Sequence, residues 1–490
     1  MSIDSNKNTI PGEAPYRELF RQIFNVVLYL SIVFFIYLIF TTKYEIPLPS
    51  TIRVAAPGIE RIFPTVSPWG PGFEQDLLRE YGKMTGSKIK IKSYPTHEAA
   101  FNAIKKGRAD IFLGAGYTPR LNGLSIFIKP CRVYEKSPAT LLHHTLRYEL
   151  RTPYELCDQT ISSPKNSNLI NIFKEYTHKL SCQATLVVGS KASNFKNLLK
   201  YNDDKNMRFH LVETGNFVQL QPFLDKLMPT ETFGKDLTYR WYCRTDVPGL
   251  SASLNKFWGK ISSNGTLNEK RELYFGFLPE DTDFYELYLI REDIRQKLPL
   301  YTKYILKAAK KYKLDPMFAA AVMYQESRFD PLARSKTGVR GLMQLTNSTA
   351  GLLGVSSRLD PEQSTMGGII YLKKLWKWIG RRNVKGWNRW FLTLAAYNQG
   401  LGHVHDAMDV ARFMKKPPKS WRSLKQVFPL LTRRKYHTKT RYGYTRGYEA
   451  VDYVDSVRYY YYIFKGLAVI PGPEKKYLAP LTAGVPAGWP

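Results

Sequence analysis

Near residue 280 the hydrophobic pattern changes period, so two architectures must share this chain. From residue 51 short β-rich runs alternate with helical stretches: TIRVAA, FEQDLLREYGKMTG, KIKIKSYP, HEAAFNAIKKGRA and DIFLGAG. Such alternation predicts βαβ units with parallel strands. TISSP, ATLVVGS and RFHLVE, interleaved with NLINIFKEYTHKL and NFKNLLKY, predict a second lobe of the same kind, closing near residue 278. After YFGFLPEDTD, a polar link containing proline, helical patterns dominate and predict an all-α unit over 283–468. Two or three folded units also suit 490 residues, because single cores stop growing at about 250–300 residues. The remaining stretch, 469–490, is rich in Pro and Gly, follows neither period and is expected to add nothing catalytic.

Residues 23–41, IFNVVLYLSIVFFIYLIFT, carry no charge, and at about 1.5 Å per residue a helix of that length approaches the roughly 30 Å hydrocarbon core of a bilayer. A transmembrane anchor is expected; a buried core helix and a cleaved signal peptide are the alternatives. No small-x-small site follows the run, which continues TKYEIPLPS, so retention is favoured. Lys7, Arg17 and Arg21 precede it, which places residues 1–22 in the cytoplasm and the bulk of the chain outside. Cys131, Cys157, Cys182 and Cys243 then sit in an oxidising compartment, where Cys157 with Cys182 and Cys131 with Cys243 are the expected disulfides and four unpaired thiols the alternative. No Cys-x-x-Cys spacing suggests a metal. A net charge of +31 favours a polyanionic partner: nucleic acid, an anionic membrane face or an acidic wall polymer.

The sharpest local signal is Asp315-Pro316, an N-cap carboxylate followed by proline at the first helical position. The helix continues MFAAAVMYQES, and Ala319, Val322 and Met323 share the face of Glu326. A carboxyl on an apolar stripe is desolvated and stays protonated near neutral pH, as a general acid at a glycosidic oxygen requires. Pairing with Arg328, Arg334 or Arg340 is the structural alternative. Three further blocks follow: Ser335 to Thr346 (SKTGVRGLMQLT), Ala395 to Gly402 (AAYNQGLG) and Gly447 to Val454 (GYEAVDYV).

Together with the Glu326 helix, these blocks resemble the goose-lysozyme-like catalytic domain of soluble-type lytic transglycosylases. The resemblance implies Glu326 as the acid/base and Ser335 as a hydrogen-bond partner of the substrate N-acetyl group. It implies Gln344, Tyr397 and Asn398 along the sugar sites, and Glu449 as a buried supporting carboxylate near the catalytic helix. Val339 and Thr346-Asn347 depart from the usual Ala and Met-Pro, which touches the groove wall and not the acid. The first half resembles periplasmic amino-acid-type solute-binding proteins, through Gly72-Phe73-Glu74, Lys106 to Asp110 (KGRAD) and the loop Gly114 to Arg120 (GAGYTPR). That resemblance implies a two-lobed α/β domain over 45–278, with Arg120 clamping a ligand carboxylate and Gly116 and Thr118 lining the same cleft. The order of anchor, solute-binding-like domain and catalytic domain resembles a membrane-bound branch of the transglycosylases.

The activity so implied is cleavage of the β-1,4 bond between N-acetylmuramic acid and N-acetylglucosamine in peptidoglycan, closing a 1,6-anhydro ring without water and without metal or nucleotide cofactor. Glycan strands are the implied partner, nucleic acid is not, and an amino acid or muropeptide is the implied ligand of the first domain. The implied location is the cell envelope: the inner membrane if the anchor is retained, the outer membrane by family habit. Competing expectations are an envelope sensor whose helical domain only docks on glycan, and a hydrolytic lysozyme.

Overall fold

The computed structural model describes residues 14–490 except 42–46, 58–66, 115, 120–125, 146, 148–150, 182, 190–194, 204–205, 281, 487–488 and 490. Chain contacts divide it into two units, residues up to Leu48 and residues from Pro49 onward. The first unit holds the helix Ala14–Thr41, whose side chains are exposed along most of Leu19–Phe34. Among the described residues no helix is long and apolar enough to cross a membrane; the side chains at 35–41 of the expected anchor lie outside the described residues.

The second unit begins with one eight-stranded sheet: β1 Thr51–Pro57, β2 Lys88–Tyr94, β3 Ile111–Leu113, β4 Ile128–His144, β5 Thr160–Ser163, β6 Thr185–Val188, β7 Phe209–Glu213 and β8 Leu227–Arg244. Their spatial order is β2-β1-β3-β8-β4-β7-β5-β6. β2, β1 and β3 are parallel, as are β7, β5 and β6, so each lobe has the expected βαβ character. The intervening helices Phe73–Thr85, His97–Lys105, Ser167–Lys179 and Phe195–Asp203 fall on the predicted segments. The sequence reading lacked β4 and β8, two long antiparallel strands that run through both lobes and join them. Register shifts at Pro130/Val133, Val133/Glu135, Ser137/Ala139 and Leu141/Leu142 bend the pair.

Cys157 is disulfide-bonded, and Cys182, its expected partner, lies outside the described residues. Cys131 and Cys243 depart from the expectation: they are free, buried thiols on β4 and β8, hydrogen-bonded to each other.

From Phe284 onward the fold is helical. Its centre is the helix Pro316–Ser327, in which every residue from Pro316 to Tyr324 is buried, so the apolar stripe read from the sequence is in fact apolar on all sides. Asp315 caps it, accepting the N–H of Met317 at 2.8 Å, and is itself held by Tyr461 Oη at 2.9 Å and Lys465 Nζ at 2.7 Å. Tyr461 belongs to the long helix Gly447–Val469, which packs along the first. The change of period near residue 280 is not a break in packing. Arg458 of the long helix, fully buried, reaches the helix Thr266–Phe275 and bonds Glu272 Oε1 at 2.8 Å. The tail is tied down as well: Trp489 packs edge-on against Phe318 and tilted against Trp390, and donates to Tyr461 Oη at 3.2 Å.

Candidate active site

Glu326 occupies the last turn of the helix Pro316–Ser327, where the chain leaves the core. The helix stops at Arg328 and Phe329, both with positive φ (50° and 59°), a conformation that L side chains adopt reluctantly. Glu326 as a whole residue is half-buried rather than fully enclosed. Burial nevertheless pushes it up to about 8, and the hydrogen bond from Tyr453 only partly offsets that rise. Tyr453 Oη donates to Glu326 Oε1 at 2.5 Å. Among the described residues no Lys or Arg pairs with Glu326, and Arg328 faces Glu286 at 3.6 Å, so the ion-pair alternative is not what forms.

Tyr397, from the helix Gly386–Gln399, completes the wall. Its ring lies nearly parallel to that of Tyr453, with centroids 6.4 Å apart, and its hydroxyl donates to Met343 O at 2.9 Å. Burial, and next the nearby Glu326 charge, hold both phenols well above the usual tyrosine range. They are therefore hydrogen-bond donors at any working pH.

The loop after the helix is built to be rigid. Ser327 Oγ donates to Leu342 O at 3.0 Å, and Met343 N donates to Ser364 Oγ at 3.2 Å. Gly341 has φ +81°, and a Cβ there would lie 1.8 Å from Arg358 O, so only glycine fits. Gln344, at φ 44°, spends its amide on Ala333 O and Gly341 O and braces the loop from within. Ser335 stands at the tip, with Oγ 2.9 Å from Thr337 Oγ1. Asn398 is exposed and accepts from Gln399 Nε2.

One expectation needs correction. Glu449 is neither buried nor bonded to the catalytic helix; it is exposed and pairs with Arg446 at 2.8 Å. A first-turn carboxylate favoured by the helix dipole gains nothing from burial there. The residue that does reach Glu326 is Tyr453, four positions on and so on the same helical face, inside a block the sequence reading had already singled out. In the α/β half, Gly116 has φ 78° and lies against Glu213, whose carboxylate accepts from Asn166 and Asn216. Thr118 Oγ1 lies 3.2 Å from Thr238 Oγ1, and Arg120 is outside the described residues. A cavity of about 620 Å³ between the lobes is lined by Phe73, Glu74, Tyr134, Ser137, Asn216 and Tyr239 among others, but not by Gly116 or Thr118.

Among the described residues no cluster of His, Cys, Asp or Glu could hold a metal ion.

The Transglycosylase SLT domain family matches residues 303–418, a span that includes the Glu326 helix, the loop and Tyr397. The membrane-bound lytic murein transglycosylase F of Pseudomonas fluorescens is 30% identical over 423 residues, covering 84% of this chain and 86% of that protein. The protein of the same name from Desulfosudis oleivorans is 30% identical over 404 residues, covering 80% and 85%. Among solved structures, an ancestral arginine-binding protein bound to glutamine covers 47% of this chain and 99% of its own, at 16% identity and a TM-score of 0.39. The GluR0 ligand-binding core from Nostoc punctiforme in complex with L-glutamate covers 46% and 99%, at 14% identity and a TM-score of 0.37.

The protein is thus an SLT-type lytic transglycosylase acting on peptidoglycan. The chain belongs to the family of membrane-bound lytic murein transglycosylases F.

Proposed function

We propose that Glu326 is the one carboxyl that serves this reaction, first as acid and then as base. The observation that carries this reading is its position: Glu326 ends a helix buried from Pro316 to Tyr324 and its carboxyl is met by Tyr453 Oη rather than by a cation, and burial there raises the group to about 8, so that at neutral pH it holds the proton that a leaving oxygen needs. The proton passes to the glycosidic oxygen of N-acetylglucosamine as its bond to muramic C1 breaks. The neighbouring acetamido group holds the positive charge developing at C1, as in substrate-assisted glycosidases. The carboxylate then takes the proton of the muramic C6 hydroxyl while O6 bonds to C1, which closes the 1,6-anhydro ring and restores the acid. No water is consumed. Asp330 closes a turn by accepting from Leu332 N at 2.9 Å, Asp360 caps the helix Pro361–Arg381 by accepting from Gln363 N at 2.7 Å, and Asp452 is exposed, so none of the three is offered as a second catalytic carboxylate. In this reading Ser335, Gln344, Tyr397 and Asn398 border the sugar sites on the loop 330–346 and the helix end at 397–399, and the catalytic part spans 283–468.

The sign of the pH dependence follows. Cleavage needs protonated Glu326, so kcat/KM holds below about 8 and falls as pH rises through it. Tyr453→Phe removes the hydrogen bond that favours the carboxylate, so the falling limb moves to higher pH. Rates of release from sacculi between pH 5 and 10 measure both; a limb that stays put in Tyr453→Phe contradicts the assignment.

We also propose that residues 23–41 anchor the chain in the inner membrane with the catalytic part in the periplasm, a reading supported by their uncharged composition and by relatives named as membrane-bound. Fractionation of the full chain tests it: recovery with inner membranes after a high-salt wash is expected, and recovery in the soluble fraction overturns it.

A further inference from the structure

Between the short helix Arg434–His437 and the helix Gly447–Val469 the chain crosses the surface beside the site. From Arg433 to Glu449 it reads RRKYHTKTRYGYTRGYE, with six Lys or Arg and the single carboxylate Glu449. All six cations are exposed, and Glu449 is taken by Arg446. Among the described residues Arg433, Arg434, Lys435, Lys439 and Arg441 meet no carboxylate at ion-pair distance. A face that is merely solvated intersperses both signs. This one does not.

The strip is also held in place. Buried Asp406 accepts the backbone N–H of Arg441 at 3.1 Å and of Tyr442 at 3.0 Å. Thr445 donates to Gln399, two residues from Tyr397. A Cβ at Gly402 would lie 2.6 Å from the Tyr442 ring, so the loop rests directly on the helix Leu401–Phe413. Gly447 stands six helical residues, about 9 Å along the axis, from Tyr453, whose hydroxyl holds Glu326. Three tyrosines on the strip and the adjoining turn, Tyr442, Tyr444 and Tyr448, are at least half exposed. Their flat faces suit pyranose rings or stem methylenes.

We propose that the strip Arg433–Arg446 binds carboxylates of the peptide stems on the glycan strand being cut, so that the enzyme prefers peptide-bearing strands to denuded ones. The proposal rests on the transglycosylase activity and adds a specificity to it. Stems leave the lactyl group of muramic acid and carry more than one carboxylate, which guanidinium forks pair bidentately. Denuded strands keep only the lactyl carboxylate, one charge per muramic acid in place of the several that a stem carries.

The experiment uses the full chain and two substrates of equal glycan length: peptide-bearing strands, and the same strands after an amidase has removed the stems. The readout is the ratio of kcat/KM on the first to that on the second. Each exposed charge contact contributes a factor of a few at most, so Arg434→Gln, Lys439→Gln and Arg441→Gln together should lower the ratio about tenfold, and each alone should lower it in the same direction. Rising ionic strength should move the unmutated ratio toward that of the triple variant, because the Debye length is only about 8 Å at 0.15 M. A fold defect lowers both rates and leaves the ratio alone, so an unchanged ratio in the triple and single variants overturns the proposal whatever the absolute rates. Failure of the unmutated protein to form anhydromuramic ends on either substrate would instead overturn the activity itself.

Discussion

Glu326→Gln is expected to lower kcat for muropeptide release by about 10³-fold while KM stays nearly unchanged, because the amide still accepts from Tyr453 but has no proton to give. The same variant carries a stability signature of opposite sign. The folded Glu326 carboxyl is raised from 4.5 to about 8, so the native state disfavours ionisation that the unfolded chain accepts above about 4.5. The resulting penalty is absent at pH 4, grows through the interval and is complete above about 8. Glu326→Gln removes it, and its melting temperature should therefore exceed that of the unmutated protein at pH 9 and match it at pH 4. Equal melting temperatures at both values would mean that Glu326 is not held protonated by burial.

Arg458→Met is expected to lower the stability of the unit from Pro49 onward by about 3–5 kcal/mol, read as a fall in the urea midpoint. The guanidinium is fully buried and bonds Glu272 Oε1 at 2.8 Å, Asp455 Oδ1 at 2.9 Å, Glu272 O at 2.5 Å and Leu273 O at 3.3 Å. It also lies over the rings of Phe391, at 4.5 Å, and Phe277, at 4.9 Å. Methionine fills the space but leaves buried carbonyls and part of the carboxylate charge unanswered, with Lys425 the one cation among the described residues that remains paired with Glu272 and Asp455. Arg458→Lys should recover little of the loss, since an ammonium cannot reproduce the fork that meets both backbone carbonyls. Because Tyr453 is carried five residues away on the same helix, the loss should reach kcat as well. A midpoint within experimental error of the unmutated protein would show that the two architectures do not depend on this contact.

How far the sequence was legible varies with how local the signal is. The parallel strands and their helices could be read because each is a short run whose period stands out from its neighbours. β4 and β8 could not: IKPCRVYEKSPATLLHH contains two prolines and several charges, and its register shifts interrupt the alternation that identifies a strand. What makes them strands is the partner across the sheet, which no single segment announces. The start of the catalytic helix was legible to the residue, because Asp315-Pro316 is a cap that acts on its own amides.

The site shows the same limit. Glu326 stood out as a carboxyl among apolar residues, whereas Tyr453 is one tyrosine in a chain of 33. Only the packing of the helix Gly447–Val469 against the helix Pro316–Ser327 selects it over Glu449. The expected Cys131 to Cys243 bond was right about proximity and wrong about the bond itself: the thiols touch across β4 and β8 yet remain free.

The most direct measurement is mass spectrometry of muropeptides released from purified sacculi by the full chain in water enriched in oxygen-18. Intramolecular attack by the C6 hydroxyl predicts 1,6-anhydromuramic ends with no label incorporated, and their absence from a parallel digest with Glu326→Gln. Reducing muramic ends carrying oxygen-18 would mean that water attacks C1, and would contradict the account.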